Sequence, residues 1–105
     1  MGDADDRNPG REGTRRKAVA ETLARMERAL ASEVGEGETS QAKEYIEHQE
    51  FGLALELLTA VIVARRVEPD AYRAGVACAA ERMGMAGPED LSEWRGYLES
   101  KERGS

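Results

Sequence analysis

The chain of 105 residues has one cysteine, one histidine and 5% aromatic residues, and these shortages exclude several classes of protein. Because Cys78 is the only cysteine, no internal disulfide can form, which suits a reducing compartment. The apolar runs are far shorter than the ~20 residues that a helix needs to cross a bilayer. The sequence therefore predicts neither a disulfide-stabilised fold nor a membrane protein.

The shortage of histidine also limits the chemistry that the chain can perform. A metal site needs several converging ligands, and the only local cluster lacks the spacing of zinc and di-iron motifs. That cluster consists of Glu44, Glu47, His48 and Glu50. With one histidine there is little to activate a nucleophile, and no glycine-rich loop with its lysine is present to hold phosphate. We therefore expect no metal, no cofactor and no enzymatic activity.

Residues 1–13, MGDADDRNPGREG, contain little that a fold could bury. Glycine, aspartate, asparagine and proline favour turns, so the sequence predicts a disordered arm here. The acidic residues do not follow the spacing of a calcium-binding loop. They also stand where a secretory signal would need basic and then apolar residues, so we expect a cytoplasmic protein.

From residue 14 onward, apolar residues recur at steps of three and four, which is the period of an amphipathic helix. A first helix is predicted to end at Gly35 and Gly37. A second helix is predicted to begin at Thr39 or Ser40, either of which can cap it, and to end near His48.

Residues 53–66 are the most apolar stretch and predict a central helix. At ~100° per residue, apolar side chains cover most of its circumference, so neighbours must pack on more than one side. The predicted polar wedge holds Glu56, Thr59 and Arg66. The predicted inner stripe consists of Leu53, Leu57, Ala60, Val61 and Ala64, widened by Ala54, Leu55, Leu58 and Ile62.

Two further helices complete the predicted fold. The fourth is rich in alanine, and the fifth carries Trp94 and Tyr97, which we expect to cover one end of the bundle. The helices should begin or end at Pro69, Gly84 and Pro88. The prediction is an all-α protein: a compact bundle of four to five helices in one domain over residues 14–103.

Charge is distributed unevenly along the chain, whose net charge is -6. Residues 7–28 carry seven basic and three acidic residues, whereas residues 38–56 carry five glutamates and one lysine. The basic helix lacks interleaved aromatic residues for stacking on bases. A solvated helix face therefore explains its charge better than a nucleic-acid-binding surface does. The acidic segment favours association with a basic protein surface.

A family resemblance is centred on Tyr45 to Leu58. The order aromatic-Ile-x-His-x-Glu-aromatic-x-x-Ala-x-x-x-Leu resembles the helix-turn-helix segment of MafI-type immunity proteins from bacterial polymorphic toxin systems. Here the pattern is met by Tyr45, Ile46, His48, Glu50, Phe51, Ala54 and Leu58. The resemblance implies a small cytoplasmic helical protein that binds and silences a cognate toxin domain.

Two functional hypotheses follow from the resemblance and the charge pattern. In the first, a non-catalytic immunity-type protein binds a basic toxin domain, with a nuclease as one candidate. Its acidic patch would be Glu44, Glu47, His48 and Glu50. In the second, the chain is a small helical adapter or regulatory module that forms a homodimer through its alanine-rich fourth helix.

Overall fold

The computed structural model describes the backbone of residues 3–87 and 89–104 and the side chains of residues 15–87 and 89–104. Within this part the chain forms five helices and no strand, which confirms the predicted all-α fold. The helices are α1 (Asp3–Val34), α2 (Glu36–Glu47), α3 (Phe51–Ala64), α4 (Asp70–Arg82) and α5 (Ser92–Gly104).

Helix α1 extends into the segment for which the sequence predicts a disordered arm. The side chains of residues 1–14 lie outside the described ones, so the arm stays a prediction. Along the described part of α1, the apolar stripe points into the core as predicted. Its innermost side chains are Val19, Leu23, Met26 and Leu30.

Helix α3 is central, as predicted, because it contacts each of the other four helices. Its buried side differs from the predicted inner stripe. Thr59, placed in the polar wedge, is buried, and its hydroxyl donates to the carbonyl oxygens of Leu55 at 3.0 Å and Glu56 at 2.9 Å. Leu53, placed inside, is 46% exposed. The side in the core consists of Ala54, Leu55, Leu58, Thr59, Val61 and Ile62.

The predicted start of the second helix is also wrong. Helix α2 begins at Glu36, directly after Gly35, whose φ of 102° and ψ of 146° suit glycine alone. Glu36 and Glu38 lie in its first turn, where carboxylates favour the positive end of the helix dipole. Thr39 is therefore not a cap but a fully buried helical residue.

Helices α1 and α4 approach each other closely at Gly75. A Cβ atom added at Gly75 would lie 2.9 Å from Sδ of Met26, so only a glycine leaves this contact undisturbed. Farther along the same pair, the Tyr72 hydroxyl donates to Oε2 of Glu33 at 2.6 Å. The glycine therefore allows α4 to pack closely against α1.

Helix α5 is joined to the end of α3 through a buried hydrogen bond. The Tyr97 hydroxyl donates to the carbonyl oxygen of Val67 at 2.8 Å. Trp94 and Tyr97 are both buried, which confirms their predicted packing role. The helix begins at Ser92, and the predicted first residue, Pro88, lies outside the described residues.

Candidate protein-binding surface

The turn between α2 and α3 is built from backbone hydrogen bonds. Gln49 adopts φ of 63°, and its N–H donates to the carbonyl oxygen of Ile46 at 3.0 Å. The next N–H, from Glu50, reaches back to the carbonyl oxygen of Tyr45 at 2.8 Å. This pair of bonds is the Schellman arrangement that ends a helix, here with glutamine where glycine is usual. The sequence predicts the end of the helix near His48 but not this bonding arrangement, because the usual glycine is absent.

The four residues of the predicted acidic patch are all exposed at this turn. Glu44, Glu47 and His48 share the outer side of the last turn of α2, because spacings of three and four residues bring side chains to one side of a helix. Glu50 follows at the N-cap of α3. The structure therefore places all four within a short stretch of surface.

No side-chain contact holds the patch together. Among the described residues, none of the four side chains makes a hydrogen bond or an ion pair. The described residues also contain no group of three or more His, Cys, Asp or Glu side chains that could hold a metal ion. What the arrangement offers is exposed negative charge at the end of a helix.

Most residues of the immunity-type pattern serve packing. Ala54 and Leu58 are fully buried, and Tyr45, Ile46 and Phe51 are half-buried against the core. Only His48 and Glu50 are exposed. The pattern therefore shapes the α2–α3 hairpin, and these two members are the ones that lie available to a partner.

The basic side of α1 faces solvent, but Glu27, which lies among its basic residues in the sequence, is absent from that surface. Glu27 is only 7% exposed, and its Oε2 accepts a hydrogen bond from the buried Thr39 hydroxyl at 2.8 Å. Glu27 lies four residues after Leu23 and three before Leu30, a spacing that was a readable sign of burial. The exposed cations are Arg15, Arg16, Lys17, Arg25 and Arg28.

A second polar pair, between buried Tyr72 and exposed Glu33, links α1 to α4. Tyr72 is 2% exposed, and burial raises the pKa of its hydroxyl above the ordinary value of 10.0. The hydrogen bond to the Glu33 carboxylate raises this pKa further, since ionised Tyr72 would place two negative charges together. This pair and the Glu27–Thr39 pair hold the bundle together without reaching the acidic patch.

The single cysteine does not form a reactive centre with the histidine. Cys78 is half-exposed on α4, as predicted, and its Sγ accepts a hydrogen bond from Nε of Arg82 at 3.3 Å. His48 lies in the α2–α3 turn. The two side chains therefore belong to different helices and different surfaces.

One side of α3 is only partly covered by the other described elements. We call it the outer face of α3: Leu53, Leu57, Ala60 and Ala64. These positions fall within a narrow arc at ~100° per residue. Leu53 is the one large apolar side chain that is exposed in the described part of the chain, Leu57 and Ala60 are half-buried, and Ala64 is exposed.

An acidic groove of about 500 Å³ adjoins the outer face of α3, since Ala60 belongs to both. Its rim carries Glu56 of α3 together with Glu89 and Glu93, and Trp94 lines it as well. No lysine or arginine is among its described lining residues. Sequence reasoning missed this groove, because Glu89 and Glu93 are distant in sequence from the segment whose charge was counted.

No helix formed by the described residues has the length and apolar character required to cross a bilayer. Comparisons with protein-family models, curated proteins and solved structures find no match to this chain. The functional argument therefore depends on the surfaces described above and on the family resemblance.

Proposed function

We propose that the protein is a non-catalytic binding protein of the immunity type, which acts in the cytoplasm by docking on a basic toxin domain. The observation that supports this proposal most directly is the set of exposed carboxylates at the end of α2 and in the turn after it. Glu44, Glu47 and Glu50 have no cationic partner among the described residues. The resemblance over Tyr45 to Leu58 supplies the class of partner.

The physical reason is that unpaired like charges on a rigid surface attract an oppositely charged surface. Such a field raises association rates by roughly 10-fold to 1,000-fold and orients the encounter. Some exposed carboxylates elsewhere on this protein pair with a cation, such as Glu38 with Arg65 at 3.6 Å and Glu102 with Arg73 at 3.2 Å. The patch at the α2–α3 turn has no such internal use.

The test begins with the tagged full chain as bait for its partner in lysate and secreted fractions. Reversal of both charges with Glu44→Lys and Glu47→Lys should then weaken binding to the purified partner by about tenfold or more, mainly through a slower association rate. Glu21→Lys, on the exposed side of α1, is the matched control for one such reversal.

The dependence of the association rate on salt concentration is a second test of the same patch. Added salt should slow association of the native protein and have a smaller effect on the reversed variant, because surface charges are screened within ~10 Å at 0.1 M salt. Unchanged affinity and unchanged salt dependence in the variant would refute the placement of the patch. Capture of a partner without a basic surface would refute the proposed partner class.

A homodimeric adapter is the second candidate, and one observation favours it. Ala71, Ala74 and Ala77 are exposed on α4, so two copies could approach closely there. A molar mass that rises with concentration, and returns to the monomer value in Ala74→Arg, would support this reading. A constant monomer mass would exclude it.

A further inference from the structure

We propose that the outer face of α3, together with the acidic groove beside it, receives a positively charged amphipathic helix of a protein partner. The inference deepens the proposed function and rests on it for the idea of a protein partner. It adds a second region to the surface and specifies the shape and charge of what binds there.

The first argument is the position of the exposed leucine. Leu53 is 46% exposed although it belongs to the most apolar helix of the chain, which is buried against four neighbours on its other sides. A lone exposed leucine is ordinary on a protein surface, so what matters is that Leu53 begins an apolar stripe that continues through Leu57. Leu53 also lies three residues after Glu50, so this apolar position adjoins the acidic turn.

The second argument is the shape of the outer face. Its four residues run from position 53 to position 64, which at 1.5 Å per residue is about 16 Å, or three turns of a helix. Leu53 and Leu57 are large, whereas Ala60 and Ala64 are small and let another backbone come near. A narrow stripe of this length matches one side of a helix of similar length.

The third argument is charge, which decides among the possible occupants. The groove beside the stripe carries Glu56, Glu89 and Glu93, with no cation among its described lining residues. A second copy of this chain would bring the same carboxylates face to face, which disfavours a homodimer. A partner helix with lysine or arginine beside its apolar side would instead pair with them.

A metal ion is a less suitable occupant of the groove than a basic helix. The described residues hold no group of three or more acidic, histidine or cysteine side chains close enough for metal binding. A cation carried on a long side chain can reach each carboxylate separately, since lysine and arginine have flexible stems. The groove therefore suits several basic side chains better than one small ion.

The experiment uses two synthetic helical peptides of the same length with leucines at helical spacing. One carries lysine at every flanking position and the other carries glutamate there. Binding of each fluorescently labelled peptide to the full chain is measured by anisotropy. We expect the lysine peptide to bind and the glutamate peptide to bind at least about tenfold more weakly.

Two variants then locate the binding site. Leu53→Ser, and separately the pair Glu56→Lys and Glu93→Lys, should each weaken binding of the lysine peptide by about fivefold or more. Glu21→Lys on α1 should leave it unchanged. Because all the changed side chains are exposed, circular dichroism should show the native helix content in each variant.

The outcomes separate this inference from the proposed function. No binding of the lysine peptide, or equal binding to the native chain and Leu53→Ser, would overturn the inference. Loss of binding in Glu44→Lys with Glu47→Lys but not in Leu53→Ser would also overturn it and leave the acidic patch as the binding surface. A dimer of the native chain that Leu53→Ser dissociates would assign the face to a second copy and overturn the inference.

Discussion

The two sides of α3 are made from the same kinds of residue but differ in burial. Leu55, Leu58 and Ile62 on the inner side are 0% exposed, whereas Leu53 on the outer side is 46% exposed. Hydrophobic composition alone therefore does not say where a side chain lies. The neighbours decide it, because α3 contacts all four other helices and its outer side is still only partly covered.

A leucine-to-alanine substitution should lower the free energy of unfolding very differently on the two sides of α3, and this is the largest difference that we expect. Leu58→Ala should lower the free energy of unfolding by about 2–5 kcal/mol, because it removes transfer energy and leaves a cavity in a closed core. Leu53→Ala should cost less than about 1 kcal/mol, because its side chain is already half in water. Urea unfolding followed by circular dichroism measures both. Equal losses would contradict the described packing of α3.

The buried polar pair between α1 and α2 extends the comparison to hydrogen bonding. Thr39→Val keeps the volume but removes the donor to Glu27, so a mostly buried carboxylate loses its hydrogen bond at a cost of about 1–3 kcal/mol. Ser40→Ala, at the exposed neighbouring position, should change the free energy of unfolding by less than about 0.5 kcal/mol. A Thr39→Val protein as stable as the native one would show that the pair contributes nothing.

The Tyr72–Glu33 pair between α1 and α4 predicts sensitivity to alkali. The pKa of Tyr72 is raised in the folded protein, so its contribution to stability is complete below pH of about 10 and is lost as the pH rises above that value. Urea midpoints measured at increasing pH should therefore fall above this point. Tyr72→Phe, which cannot ionise there, should show a smaller fall. Parallel curves for the two proteins would contradict the predicted role of this hydroxyl.

The smallest effect is expected at the turn that joins the acidic patch to α3. Gln49 has φ of 63°, where a residue other than glycine costs roughly 1–2 kcal/mol, partly offset by the entropy that glycine loses on folding. Gln49→Gly should therefore raise the free energy of unfolding by up to about 1 kcal/mol. Gln41→Gly, at an exposed position inside α2, should lower it by about 0.5–1 kcal/mol. Effects of the same sign would contradict the described turn.

Prediction from the sequence succeeded where local periodicity carries the signal. The all-α fold and the stripe of α1 follow from the spacing of apolar residues. The end of α4 follows from Gly84, which has φ of 74° in the structure. It failed at the start of α2, which lies at Glu36 and has no side-chain cap to mark it. The ends of α2 and α3 were predicted within two residues, although Gln49 and Arg66 close them without the usual glycine.

One part of the candidate surface was predicted from the sequence and the other part was not. The exposure of Glu44, Glu47 and His48 followed from local sequence, because they lie opposite the apolar side of one short helix, and Glu50 lies in the turn after it. The outer face of α3 did not. Since most of the circumference of that helix is apolar, its period alone could not say which arc the neighbours would leave uncovered.

The amino-acid sequence by itself determined that this chain is helical, where most of its helices lie and that one segment is strongly acidic. These properties depend on residues three or four positions apart, which contact each other in any helix. Only the tertiary structure decided that Thr59 is buried, that Leu53 is exposed and that Glu89 and Glu93 share a groove with Glu56. Those outcomes depend on contacts between helices far apart in sequence, and no local pattern specifies them.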